Sequence, residues 1–341
     1  MQLYSIDIFS GLGGLTEGMH QANFKTQIAF EIDEIASKVY RMNHLGTTII
    51  TKDIRKVSVA EIKQKLNGNK IHLLAGCPPC QGFSSIRRLN RMQPVEDDRN
   101  TLIMEYVRLV RALKPYTIMM ENVPGLVQYD LFKEAKRILE EEMKYHIDFT
   151  VVNVKDYGVP QSRRRLVLVG SRLGEIKVAK PTYEKKTVRQ IIGNMLTPEK
   201  SIDPIHKIFP VHTPEVQERI EMTPQNGGSR KDLPKKYLLK CHQGENIGFN
   251  DVYGRLRWDD YSSTITGGCL NPSKGRFLHP EQNRCISARE AALLQSFPAD
   301  YKFPTDIPKR NLALLIGNAL PPVFSYIQSE NIKQHIIEHL G

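Results

Sequence analysis

The sequence predicts an α/β fold, a doubly wound and mostly parallel sheet joined to a smaller, loop-rich domain. Three observations carry this. Up to residue 171, apolar runs of strand length alternate with amphipathic helical runs. Several of the strand runs are apolar without interruption, as strands covered on both faces must be. Beyond residue 171 the alternation gives way to short irregular runs rich in proline, glycine and basic residues.

The expected strands are YSIDIF (4–9), QIAFEI (27–32), TTIITKDI (47–54), IHLLAG (71–76), YTIMMENV (116–123), IDFTVVNV (147–154) and RLVLVGS (165–171). Helices fall between many of them. TLIMEYVRLVRALKP sets Leu102, Tyr106, Leu109, Val110 and Leu113 on one face and stops at Pro115, and DLFKEAKRILEEEM repeats the pattern with Asp130 as its expected N-cap. The irregular part holds 18 Lys and Arg against 13 Asp and Glu over residues 172–283, and the last stretch is helical again. The expected organisation is therefore a domain over 1–171, a second over 172–283, and a helical segment over 284–341.

Composition narrows the function classes. With 40% hydrophobic and 25% charged residues in 341, the chain reads as an ordinary globular protein, without collagen, mucin or disorder signatures. No apolar run approaches a membrane span and the first residues lack the character of a signal peptide, so a soluble, unexported protein is expected. Five cysteines are too few and too scattered for a disulfide framework. The net charge of +11 favours an acidic partner, of which nucleic acid is the commonest.

DIFSGLGG (7–14) is a strand running into a glycine-rich turn and a helix. A dinucleotide fingerprint would need glycine where Thr16 stands, so what remains is a turn that lets backbone approach a ligand closely. Glu31 closes the next strand, where an acid in such a fold bonds ribose hydroxyls, and Asp53 closes the third. In LLAGCPPCQGFS (73–84), a zinc site lacks its second ligand pair, since Cys241, Cys269 and Cys285 lie 28 and 16 residues apart. A redox pair at a helix start is disfavoured by Pro78 and Pro79. One reactive thiol, Cys80, at the carboxyl end of a strand is the expectation, with Cys77 as packing material. Glu121 ends the next apolar strand at the same rim and is a candidate proton donor. In QSRRRL (161–166), strand alternation sets Arg163 and Arg165 on one face, fit to grip a phosphate or a carbonyl oxygen.

Six blocks in order, DIFSGLGG, PPCQGFS, ENV (121–123), QSRRR, RCISAREAALLQSFP (284–298) and GNALPP (317–322), make the chain resemble the DNA (cytosine-5)-methyltransferases of bacterial restriction-modification systems throughout its length. The resemblance implies a Rossmann-like fold and S-adenosylmethionine as cofactor, with S-adenosylhomocysteine as product and no metal. Cofactor contacts map onto Phe9, Gly11, Leu12, Gly14, Glu31, Ile32, Asp53, Ile54, Pro79, Leu102 and Asn318, with Glu31 on the ribose and Asp53 and Ile54 on the adenine. It further implies Cys80 as nucleophile, Glu121 as acid, Arg165 as a contact to the base and Arg163 as its support. The loop-rich segment resembles a target-recognition domain, closed by GRLRWDDYSSTITGG (254–268), and GNALPP resembles the part by which the family's C-terminal segment, here 284–341, returns to the catalytic domain. Departures are Ile32, where the family usually carries an aromatic residue, and Asn100, where glycine is common. Double-stranded DNA is the implied partner, a restriction endonuclease sharing the site without direct contact, and the bacterial cytoplasm the implied location. The alternatives are a tRNA-directed relative, whose usual Cys-Phe-Thr element is missing from the sequence, and a catalytically silent DNA binder, which has no need of a reactive cysteine.

Overall fold

The computed structural model describes residues 1–79, 101–243 and 250–341. Its centre is a seven-stranded sheet of β1 (Leu3–Ile8), β2 (Phe24–Glu31), β3 (Thr48–Thr51), β4 (Leu73–Gly76), β5 (Thr117–Asn122), β6 (His146–Asn153) and β7 (Arg164–Ser171), in the order 3-2-1-4-5-7-6. Strands β1 to β5 run parallel, while β7 is antiparallel to both β5 and β6. All seven expected strands are present. β3 is shorter than expected and stops at Thr51, with Asp53 beyond it capping a single 3-10 turn, Ile54–Lys56. Only a short connection separates β6 from β7, too little for a helical crossover, so the pair closes antiparallel.

The two faces of the sheet differ in chemistry. On one, Ile6, Ile8, Leu74, Ile118, Met120, Leu166 and Leu168 form a continuous apolar layer under α3 (Val59–Leu66), α4 (Leu102–Leu113) and α5 (Asp130–Arg137). Asp130 is the first residue of α5 and Tyr129 is its N-cap, so the expected side-chain cap is not formed. The other face carries Ser5, Asp7, Thr117, Glu121 and Ser171, all buried. There Thr16 of α1 (Gly14–Gln21) donates to Asp7 at 2.6 Å, and His335 of the C-terminal helix, Pro322–Leu340, meets Ser171 Oγ at 2.7 Å. Asp7 and Ser171 thus find partners in the helices that cover this face, whereas Ser5 pairs with Thr26 of β2 and Thr117 donates to His72 O.

Contacts divide the chain into two compact units. The sheet unit comprises 1–157, 164–182 and 320–341, and the second comprises 158–163 and 183–319. These limits differ from those read in the sequence: 172–182 belongs with the sheet, and of the C-terminal segment only 320–341 does. Among the described residues the second unit has isolated bridges but no strand, and its helices are short. A buried arginine compensates. The Arg255 guanidinium, fully enclosed, donates to the carbonyls of Ile220, Thr223, His279 and Gln282 and to Asn283 Oδ1, at 2.6–3.1 Å. Carbonyls that a ladder would satisfy are satisfied by one side chain instead.

Candidate active site

The glycine turn after β1 is shaped by its backbone. Phe9, Gly11 and Gly13 all have positive φ, at 62°, 54° and 100°. Glycine adopts this conformation freely, whereas Phe9 is held in it against its own preference, a form of strain that concentrates at ligand sites. Glu31, at the end of β2, anchors the turn: its Oε2 accepts from Gly11 N at 2.7 Å, and its Oε1 accepts from Ile32 N and Asp33 N, both at 2.8 Å. Burial raises the pKa of this carboxyl above the usual range, and the three backbone donors oppose the rise. With one donor on Oε2, a lone pair is left there for a hydroxyl. Ile32 stands beside it 64% exposed, an apolar face open to a flat ring. Acceptor, apolar face and open backbone together fit a nucleoside.

The remaining sequence candidates for the cofactor divide. Leu12, Gly14, Ile54 and Leu102 are buried, and Gly11, Phe9 and Pro79 are half-buried. Ile54 and Leu102 are part of the apolar core. The Asp53 carboxylate is engaged by Arg55, through Nη2 at 2.6 Å and Nε at 3.0 Å, which holds its pKa below the usual range. Asn318 is exposed at the end of the helix Lys309–Asn318 and belongs to the second unit. In that unit Gly317 is required by close approach, because a Cβ there would stand 2.0 Å from Thr266 C.

At the ends of β4 and β5 the strands stay in step: Gly76 is opposite Met120, and Asn122 Nδ2, at the end of β5, donates to Pro78 O just past β4 at 2.8 Å. That bond fixes the approach to the CPPC segment, and Cys80 itself lies outside the described residues. Glu121, 7% exposed, forms an ion pair with Arg165, Nε to Oε1 at 2.6 Å. Arg163 does not join them on a strand face, although alternation predicts that it shares one with Arg165. β7 begins at Arg164, and the buried Arg163 guanidinium donates to Ile265 O at 3.0 Å and Gly317 O at 2.9 Å within the second unit. A guanidinium removed from water needs carbonyl acceptors, and those loops supply them.

Two residues here escaped the sequence reading. Asp7 is wholly buried, with Oδ2 bonded by Thr16, which also meets the hydroxyl of Tyr40 in α2 (Glu34–Asn43) at 2.8 Å. Burial raises its pKa to about 7 despite the Thr16 bond, with Glu31 adding to the rise. A charged residue inside the apolar run YSIDIF was the available signal. Asn122 was visible only as part of ENV, and its bond to Pro78 depends on register.

The comparisons with known proteins agree along the length. The family model for C-5 cytosine-specific DNA methylase matches residues 3–334. The chain is 33% identical to the Type II methylase M.HgiDII of Herpetosiphon aurantiacus, covering 97% of this chain and 95% of that one. It is 32% identical to the Type II methyltransferase M1.HphI of Haemophilus parahaemolyticus, over 97% of this chain and 87% of the relative. In fold it resembles a prophage-encoded E. coli protein to which DNA modification methyltransferase activity is ascribed, with a TM-score of 0.76, 24% identity and coverage of 98% and 99%. Spodoptera frugiperda DNMT2, in a mutant form, follows with a TM-score of 0.68, 16% identity and coverage of 97% and 100%. The chain belongs to the C-5 cytosine-specific DNA methylase family and is a methyltransferase.

Proposed function

We propose that the protein transfers a methyl group from S-adenosylmethionine to C5 of a cytosine flipped out of a specific double-stranded DNA sequence, as the modification enzyme of a restriction-modification system. The observation that supports this most is the Glu121–Arg165 pair at the end of β5, beside the strand that leads through Pro78 into Cys80. The Type II methylase names of the relatives support the restriction-modification assignment. A cognate endonuclease would share the DNA site without touching this chain, and both would act in the bacterial cytoplasm.

S-adenosylmethionine, when bound, supplies the methyl group as an electrophilic sulfonium. Glu31 would hold the ribose and Ile32 cover the adenine, with Asp53 and Ile54 at its edge. Phe9, Gly11, Leu12 and Gly14 line the turn, and Pro79, Leu102 and Asn318 complete the set. Cytosine C5 is a poor nucleophile on its own. The Cys80 thiolate adds to C6 and makes C5 enamine-like, so that C5 can accept the methyl group. Glu121 holds a proton at N3 and Arg165 bonds O2, both where charge develops. Arg163 supports from the loop that leads into β7. The C5 proton then leaves to water or hydroxide, and elimination breaks the C6–S bond. Because C6 is shielded inside a duplex, flipping is required, at a cost of a few kcal/mol. The basic second unit offers phosphate contacts that position the duplex and base contacts that select the sequence.

Bisulfite sequencing of DNA from cells expressing the protein tests this reading. Protected cytosines in one short sequence context are expected, and none with Cys80→Ala. Full conversion with the unaltered chain, or protection that survives Cys80→Ala, would sink it.

A further inference from the structure

We infer that Cys77 is a positioning residue for Glu121, its thiol donating to the Glu121 carboxylate and holding it against Arg165. The inference rests on the assignment of Glu121 as the acid. The proposal gives a role to a residue that the sequence reading left as packing.

Three features of the structure carry it. First, register: Gly76 lies opposite Met120 in the parallel pair β4–β5, so one step on Cys77 stands beside Glu121, on the same face of the sheet. The backbone is pinned on both sides of this step, by Cys77 N donating to Ile8 O at 3.3 Å and by Asn122 Nδ2 donating to Pro78 O at 2.8 Å. Second, need: Glu121 Oε1 is buried and within 2.6 Å of Arg165 Nε, yet among the described residues no donor meets it in hydrogen-bonding geometry. A buried carboxylate oxygen without a donor is costly. Third, the state of the thiol: Cys77 is unpaired by any disulfide, and burial pushes its pKa well above the usual thiol value, with Glu121 and Asp7 adding to the rise and Arg165 opposing it. A neutral S–H next to a carboxylate that lacks a donor turns its proton toward it. The other titratable group in electrostatic contact with the thiol is Tyr106 of α4.

The test pairs Cys77→Ala with Cys77→Ser in the full chain. The thiol is a weak donor, so Cys77→Ala should lower kcat by about 3- to 10-fold, with KM for DNA and for S-adenosylmethionine within about twofold of the unaltered enzyme. Cys77→Ser, which keeps a donor, should recover kcat to within about twofold. A Cys77→Ala enzyme with unchanged kcat overturns the inference, as do equal losses in both variants, which would mark a packing role. Infrared spectroscopy reads the bond without catalysis: the S–H band isolated by subtracting the Cys77→Ala spectrum should sit below that of an unbonded thiol and rise in Glu121→Ala. An unbonded position in the unaltered protein overturns the inference too. Glu121→Gln separates the two levels of the argument. If it turns over normally, the acid assignment falls; if it is impaired while Cys77→Ala is not, only the role of Cys77 falls.

Discussion

Glu121 Oε1 and Arg165 Nε lie 2.6 Å apart on adjacent antiparallel strands, with side chains only 9% and 15% exposed. A pair this enclosed is asymmetric in its consequences, since removing one partner leaves the other charged and unpaired. Arg165→Ala should therefore cost about 3–5 kcal/mol of stability as well as activity. Glu121→Gln keeps the shape of the side chain but removes the charge that neutralises Arg165, so it should lower the melting temperature too, by less than Arg165→Ala, while lowering turnover by roughly 10²- to 10⁴-fold, the range for losing a general acid. Calorimetry and single-turnover kinetics on the two variants would check this. A Glu121→Gln enzyme that binds DNA normally and methylates at full rate would refute the role given to the acid.

Glu31 joins the turn after β1 to the end of β2 through three backbone donors. Glu31→Ala should weaken S-adenosylmethionine binding by about 1.5–3 kcal/mol, the range for a hydrogen bond to a charged group, and should loosen the turn. Because burial raises the pKa of this carboxyl, it takes up a proton at a higher pH than an ordinary glutamate. Cofactor affinity should accordingly fall on acidification, beginning above the usual carboxylate range, and the fall should be missing in Glu31→Ala. Isothermal titration across pH measures both, and an affinity unaffected by the substitution would remove Glu31 from the ribose.

How far the sequence foretold this site follows from what each residue answers to. Glu31 and Glu121 were legible because each closes an apolar run, and a charge can sit at the end of such a strand but seldom within it. Asp7 breaks that rule, and its partner Thr16 became visible only once α1 was folded over the strand. Arg163 could not be placed from alternation for a local reason: β7 begins at Arg164, so Arg163 lies just outside the strand and its side chain follows the carbonyls of Ile265 and Gly317. The second unit was legible only as irregular, since its backbone is satisfied by side chains such as Arg255 and not by a periodic ladder.

Asp7 supplies a pH dependence of stability. Its pKa is raised from 3.8 to about 7 in the folded chain, chiefly by burial. Between these values the folded state binds more protons than the unfolded, so the contribution to stability is fullest below the lower value and is lost as pH rises through about 7. Asp7→Asn keeps an acceptor for Thr16 and removes the ionisation. At pH 8 it should be more stable than the unaltered chain by roughly 2–4 kcal/mol, with the difference vanishing below about pH 4. Melting temperatures that run parallel for the two proteins across this window would show that Asp7 does not titrate there.

The division of labour between the two units has its own test. If the second unit reads bases while Cys80 performs the chemistry, DNA carrying 5-fluorocytosine at the target should be trapped on the enzyme. Fluorine cannot leave C5 as a proton does, so elimination stalls with the sulfur still bonded to C6. Residues 183–283 are the part of the second unit that lies between the QSRRR and RCISAREAALLQSFP blocks, so they can be exchanged for those of a relative without touching these blocks or GNALPP. The chimera should form its adduct at the relative's target, and peptide mapping should still find the DNA on Cys80. Two of the other cysteines are poor rivals: burial pushes the thiols of Cys269 and Cys285 up, the former to about 12. Attachment at Cys241, Cys269 or Cys285 would transfer the nucleophile's role to that residue. A chimera that kept the original target would move base recognition out of 183–283, and the sequence preference would have to be sought in the sheet unit or in 284–319.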